Sequence, residues 1–244
     1  MAGRGPLILF LHGIGGHRAH WNAQLEFFSR RFTAAAWDAR GYGDSDDYPG
    51  ALQFDDFTAD VLRTVDFLRT AQTHLVGLSM GGRIARNFAL QHPSRVRTLT
   101  LANTSPGFDA LSSEEVERFV EERRNRSTDT LHTLLGSAAH PGAQEALRAS
   151  FAALRQACYL KTLQASVSQD RAAPLERITA PTLVIAGGED TVYPPQIAQR
   201  MAGRIPGAEL ALLEGCGHLS NLEQPERFNA ALLDFLSRRS HGEG

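Results

Sequence analysis

Short apolar runs alternate with amphipathic stretches of helical spacing along this chain, and that alternation constrains the fold more than any other feature. The runs are centred on LILFL, TAAAW, THLVG and VRTLTLA in the first half and on TLVIAG and ELALLE in the second. Each has the length of a buried strand, and most are followed by a helical pattern. This repeat predicts an α/β fold in which a mostly parallel sheet is flanked by helices on both faces.

The alternation stops between residues 107 and 171, where helical patterns follow one another without a strand pattern. This change predicts an all-helical insertion at 107–171 within a core formed by 1–106 and 172–240. The last residues, 241–244, are small or polar and are expected to form a disordered tail.

A serine enclosed by glycines follows the third apolar run, in the sequence Gly77-Leu78-Ser79-Met80-Gly81. A G-x-S-x-G pattern between a strand and a helix is typical of a nucleophile elbow, a sharp turn that exposes the serine at the sheet edge. Side chains two residues before and after the serine would collide in such a turn, which explains the glycines. A chance match in an ordinary turn is the alternative.

A serine hydroxyl needs a base to accept its proton, and the base needs an acid to orient it. Of the nine histidines, His218 has the most suitable place, in the loop after the last predicted strand. Asp190 follows another predicted strand, and its position in the loop favours it over Glu189 as the acid. The order Ser79, Asp190, His218 is the chain order expected of an elbow fold. We therefore predict a catalytic triad of these three residues.

The negative charge of a tetrahedral intermediate needs backbone N–H donors. Met80 is expected to supply one, because its amide follows the nucleophile at the start of a helix. Ile14 is expected to supply the other from the glycine-rich HGIGG loop, in which His12 is expected to fix the backbone by hydrogen bonding. A phosphate-binding loop is the alternative, but HGIGGH lacks the Lys-Ser/Thr pair of a P-loop.

Three residues near the predicted triad are expected to bind substrate: Gly13, Trp21 and Arg83. An arginine can hold a substrate carboxylate through two parallel hydrogen bonds. A buried Arg83 without an acidic partner would favour that role. Other arginines of the insertion could also hold a carboxylate, but their pattern is more typical of an exposed helix surface: Arg123, Arg124 and Arg126.

Motifs along nearly the whole chain resemble those of the α/β-hydrolase family, in family order: LHGIGG, WDARGYGDS, GLSMGG, AGGEDTVYPP and GCGHLSNLEQPERF. The resemblance implies a helical cap between strands six and seven of the family sheet. Members commonly have two antiparallel strands before the LHG strand, and this chain begins almost at that strand, so a sheet of six strands is expected. Within the family, GLSMGG, LTLANTSPG and RIPGAEL look most like 3-oxoadipate enol-lactonases and carboxylesterases. That similarity implies a serine hydrolase that cleaves a small carboxylic ester or lactone through an acyl-enzyme.

Other activities remain open on the same triad. Arg83, in GLSMGGR, resembles the arginine of the SHCHC synthases, which suggests a lyase. A C–C bond hydrolase and a cofactor-free haloperoxidase are further alternatives. A non-catalytic ligand receptor of the same fold is less consistent with the sequence, because such proteins often lose a triad member.

The composition narrows the partners and the compartment. A net charge of −2 gives no sign of nucleic acid or of an anionic membrane surface as a partner. Cys158 and Cys216 cannot form a disulfide framework, and the first apolar run is too short for a signal peptide or a membrane span. We therefore expect a cytoplasmic enzyme that acts on a small molecule and requires no metal or cofactor. The sequence leaves open whether the chain forms a homo-oligomer.

Overall fold

A computed structural model describes residues 1–108, 111–124 and 128–240. The described residues form one parallel sheet of six strands in the order β2-β1-β3-β4-β5-β6. The strands are β1 (Leu7–Leu11), β2 (Thr33–Ala36), β3 (Thr73–Leu78), β4 (Val96–Ala102), β5 (Thr182–Gly187) and β6 (Glu209–Leu213). The α-helices are α1 (Asn22–Phe28), α2 (Phe54–Phe67), α3 (Met80–Gln91), α4 (Ser113–Arg124), α5 (Pro141–Ala152), α6 (Gln156–Ser168), α7 (Pro195–Arg204), α8 (Ser220–Glu223) and α9 (Pro225–Ser240).

Two hydrophobic cores lie on opposite faces of this sheet. Because successive side chains of a strand point to opposite faces, Leu9 of β1 contributes to one core and Phe10 to the other. Helices α2, α3 and α7 cover the first face, and α1 and α9 cover the second. The sequence prediction of a parallel sheet flanked by helices is therefore confirmed.

The described residues between β4 and β5 contain helices joined by turns and no strand of the sheet: α4, a 3₁₀ turn at Thr128–Leu134, α5, α6 and a 3₁₀ turn at Leu175–Arg177. The two ends of the stretch 107–171 meet, since the Phe108 amide donates to the Asp170 carbonyl over 2.9 Å and the Ala172 amide to the Phe108 carbonyl over 3.2 Å. We call residues 107–171 the inserted segment. That it forms a distinct cap stays a prediction, and the predicted tail at 241–244 lies outside the described residues.

In a parallel sheet all strands end at the same edge, so the loops that follow them come together there. The loops after β3, β5 and β6 contain the three residues of the predicted triad, and the loop after β1 contains Gly13 and Ile14. None of the described helices combines the length and the apolarity needed to cross a lipid bilayer.

Candidate active site

Ser79 occupies a strained turn between β3 and α3. Its φ of 55° and ψ of −116° lie outside the regions that non-glycine residues usually adopt. The turn is held by two hydrogen bonds: the Ser79 amide donates to the Ala102 carbonyl over 2.9 Å, and the Thr104 hydroxyl donates to the Ser79 carbonyl over 2.6 Å.

The glycines around Ser79 are required by close backbone approach. A Cβ on Gly77 would lie 2.1 Å from the Gly81 carbonyl oxygen, and one on Gly81 would lie 2.2 Å from the Leu11 carbonyl oxygen. Both distances are far below van der Waals contact, so neither position tolerates a side chain without a shift of the backbone. The G-x-S-x-G pattern thus follows from the packing of the turn against β1 and the start of α3.

A continuous chain of hydrogen bonds joins the three residues predicted as the triad. The Ser79 Oγ lies 2.9 Å from Nε2 of His218, and Nδ1 of the same ring lies 3.0 and 3.1 Å from the two carboxylate oxygens of Asp190. The carboxylate faces Nδ1, so that nitrogen carries the proton and Nε2 is free to accept the serine proton. His218 and Asp190 are buried, whereas Ser79 is partly accessible.

Asp190 stays ionised despite its burial. Burial alone would raise its pKa, but hydrogen bonds from His218, the Tyr193 amide and the Asn103 side chain hold the pKa below its ordinary value. Glu189, the alternative acid in the sequence, instead accepts hydrogen bonds at 2.7 Å from the amide and the hydroxyl of Ser137. The structure therefore brings Asp190, and not Glu189, to the histidine.

Asn103 was missed by the sequence reasoning. It follows β4 with a positive φ of 45°, and its Nδ2 donates to Asp190 and to the Gly217 carbonyl, both over 3.0 Å. Its Oδ1 accepts from the Ser220 hydroxyl. Asn103 thus fixes the acid relative to the histidine loop. The available signal was a run of polar residues directly after an apolar strand, at the edge where the other site residues lie.

The histidine loop is also bonded to the inserted segment. The His218 amide donates to the Leu134 carbonyl over 2.7 Å. The buried Glu223 carboxylate accepts from the amides of Gly136, Gly217 and Leu219 over 2.6 to 2.8 Å. Residues on both sides of this contact therefore determine where the imidazole stands.

The loop after β1 lies directly against the nucleophile. A Cβ on Gly13 would lie 3.0 Å from the Cβ of Ser79, so the backbone itself forms this wall of the site. Residues 13–16 form a type II turn, since the Gly16 amide donates to the Gly13 carbonyl over 3.0 Å and Gly15 has a φ of +84°. Neither the Ile14 nor the Met80 amide donates to an acceptor among the described residues. Both are thus available as oxyanion donors.

His12 holds one end of this turn as a neutral side chain. Its Nδ1 donates to the Gly13 carbonyl over 2.8 Å, and its Nε2 accepts from the Ala39 amide over 3.0 Å. These partners require one protonated and one bare nitrogen, and burial lowers the pKa to about 4.

Folding stability is expected to fall as the pH is lowered from 6.5 toward 4. Burial lowers the pKa of His74 to about 4, and an unfolded histidine titrates near 6.5, so the unfolded state takes up the proton first. Each buried histidine with a pKa lowered in this way should reduce the free energy of unfolding by about 2 kcal/mol at pH 5 relative to pH 8. Urea unfolding at both pH values measures the loss, which His74→Gln should reduce by about 2 kcal/mol. An unchanged pH dependence in that variant would contradict the prediction.

Arg83 has an acidic partner. Its guanidinium is buried and donates to Asp170 over 2.9 Å and to the Ser166 carbonyl over 3.1 Å, between the rings of Phe54 and Phe108. By the criterion set from the sequence, these contacts correspond to a structural role and not to binding of a substrate carboxylate.

The remaining predicted substrate residues are placed differently from one another. Trp21 is fully buried and packs against Phe10 and Phe228, so its predicted contact with substrate lacks structural support. Arg124 is half exposed and pairs with Glu121. Arg126 lies outside the described residues.

Among the described residues, no group of three or more His, Cys, Asp and Glu side chains is arranged to hold a metal ion.

A profile of the alpha/beta hydrolase fold matches residues 6–225. The chain belongs to the α/β-hydrolase family. Among its relatives, 3-oxoadipate enol-lactonase 2 of Acinetobacter baylyi is 28% identical, with 96% of this chain and 89% of the relative covered. A putative carbamate hydrolase of Caulobacter segnis is 29% identical over 97% of this chain and 92% of the relative. The crystal structure of the enol-lactonase from Burkholderia xenovorans superposes with a TM-score of 0.86 and 27% identity, covering 96% and 92% of the two chains.

Proposed function

We propose that this α/β hydrolase is a serine hydrolase that cleaves a small carboxylic ester or lactone through an acyl-enzyme on Ser79. The observation that supports this most is the unbroken hydrogen-bond chain from the Ser79 hydroxyl through His218 to Asp190. A lactone and a carbamate occur in the names of relatives. Both groups present an acyl carbon to a nucleophile.

In the proposed reaction, Ser79 Oγ attacks the acyl carbon while Nε2 of His218 takes the hydroxyl proton. The carbonyl oxygen becomes an oxyanion between the amides of Ile14 and Met80, the latter at the positive end of α3. His218 then protonates the leaving alkoxide as the C–O bond breaks. A water molecule, deprotonated by His218, then attacks the acyl carbon. The bond from this carbon to Ser79 Oγ breaks, the acid leaves, and His218 returns the proton to Oγ.

The environment of Arg83 affects which acyl groups the site is expected to accept. Because the Arg83 guanidinium is buried and its charge is paired with Asp170, Arg83 is poorly suited to bind a substrate carboxylate. We therefore propose that esters with an uncharged acyl group are better substrates than esters whose acyl group bears a carboxylate. A panel of matched p-nitrophenyl esters and lactones, with and without that carboxylate, measures the preference as kcat/KM.

Labelling with a fluorophosphonate tests the proposed function directly. Wild-type protein should gain one phosphonyl group by mass spectrometry and should turn over at least one neutral ester or lactone. Ser79→Ala should do neither, while Ser29→Ala, a change of a partly exposed serine at the end of α1, should behave as wild type. Folded wild-type protein that is neither labelled nor active on any ester or lactone would overturn the proposal.

A further inference from the structure

The last turn of helix α5, in the inserted segment, packs onto the turn at residues 13–16. The Ser150 hydroxyl is buried and donates a hydrogen bond to the Gly15 carbonyl, across 135 residues of sequence. The neighbouring Phe151 ring lies over the same residue, since a Cβ on Gly15 would be 2.5 Å from a ring carbon. Gly15 is thus contacted by a side chain on each of two consecutive helix positions.

The turn needs such support because its own sequence is Gly-Ile-Gly-Gly. Glycine reaches many backbone conformations at similar energy, so this stretch by itself would not keep the Ile14 amide in one direction. His12 fixes the Gly13 carbonyl at the start of the turn. Ser150 holds the Gly15 carbonyl, and the other end of that peptide group, the Gly16 amide, donates to the Gly13 carbonyl over 3.0 Å. The Gly13 carbonyl and the Ile14 amide form one planar peptide group, so both hydrogen bonds act on the direction of that amide.

The helix that bears Ser150 is itself anchored. Just after α5, the Arg155 guanidinium donates to the Gly41 carbonyl over 3.3 Å and to the Ser45 carbonyl over 2.6 Å. Leu147, one turn before Ser150, is buried in the core. The hydroxyl therefore approaches Gly15 from a fixed position.

We propose that Ser150 is a positioning residue for catalysis, which aligns the Ile14 amide with the oxyanion by holding the Gly15 carbonyl. This inference rests on the proposed acyl-enzyme function and adds to it a residue from the inserted segment. Loss of an oxyanion donor itself lowers kcat by about 10² to 10³. Loss of the bond that only orients the donor should have a smaller effect, about tenfold in kcat.

Two substitutions of equal size isolate the hydroxyl: Ser150→Thr keeps it and Ser150→Val removes it. We expect the valine variant to show about tenfold lower kcat than the threonine variant, with KM changed less than about twofold. Affinity for a boronic acid, which forms a tetrahedral adduct on Ser79, should fall by the same factor as kcat. Ser150→Ala should resemble the valine variant where it folds. Ser168→Ala, which removes a hydroxyl of the inserted segment that bonds only to the Gln164 carbonyl within α6, should leave kcat unchanged.

Equal kcat and equal boronate affinity in the threonine and valine variants would overturn the inference and leave the proposed function intact. The same holds if valine raises KM alone, because that result would assign the hydroxyl to ground-state binding. Absence of both fluorophosphonate labelling and ester turnover in wild-type protein would instead remove the proposed function, and with it the role of Ser150.

Discussion

Replacing His218 by alanine should lower kcat by about 10⁶, nearly as much as removing the nucleophile itself. Nε2 of His218 lies 2.9 Å from the Ser79 hydroxyl, so the variant loses the base that takes the serine proton and the acid that protonates the leaving alkoxide. The residual rate should come from substrate binding and the two oxyanion amides. The decrease in kcat is measured in end-point assays with a p-nitrophenyl ester at high enzyme concentration.

The double variant Ser79→Ala/His218→Ala provides the sharper comparison. Because the two side chains act as one unit, the double variant should be no slower than either single variant. His132→Ala removes an exposed imidazole that hydrogen-bonds to the Asp129 carbonyl and serves as the matched control, with kcat unchanged. Losses that multiply in the double variant would show that the histidine acts independently of Ser79, against the proposed mechanism.

Replacing Asp170 by asparagine should destabilise the fold by about 3–5 kcal/mol. The Asp170 carboxylate is buried and pairs with Arg83 on one oxygen and with Arg86 on the other. Burial lowers the pKa of Arg86, and the carboxylate opposes that effect. In the variant, two buried guanidinium groups would lose their only acidic partner among the described residues.

Urea unfolding at pH 7 measures this change as a lower midpoint at constant slope. Glu176→Gln serves as the control, because Glu176 also pairs with an arginine, Arg204, but at the exposed surface. That variant should leave stability nearly unchanged. Equal stability of Asp170→Asn and wild type would show that the buried charges do not depend on Asp170.

The parallel sheet, and the proximity of the three residues in the hydrogen-bond chain, could be predicted from the sequence. The reason is topological: a parallel sheet brings the ends of its strands to one edge, so a serine, an acid and a histidine after different strands meet. The glycines around Ser79 also encode the turn locally, since their lack of a side chain is required where β1, β3 and α3 approach closely.

The sequence did not reveal contacts made by packing between distant elements. Arg83 was considered for substrate binding, but its partner Asp170 stands 87 residues away, at the end of the inserted segment. An aromatic ring such as that of Trp21 is suited to a substrate pocket or to a core. Its packing against Phe10 of β1 and Phe228 of α9 places it in the core. Asn103 and Ser150 form hydrogen bonds with residues far away in the sequence, and no periodicity or motif in the chain predicts these bonds.

The attachments of the inserted segment bear on how this enzyme can be redesigned. An exchange of residues 107–171 for those of a relative would remove contacts between this segment and the rest of the candidate site. These contacts are the Leu134 carbonyl that accepts from the His218 amide, the Ser150 hydroxyl that donates to the Gly15 carbonyl, and Asp170, the counter-ion of Arg83 in α3. A chimera that alters selectivity at full turnover should therefore retain Leu134, Ser150 and Asp170, and vary the helix positions between them.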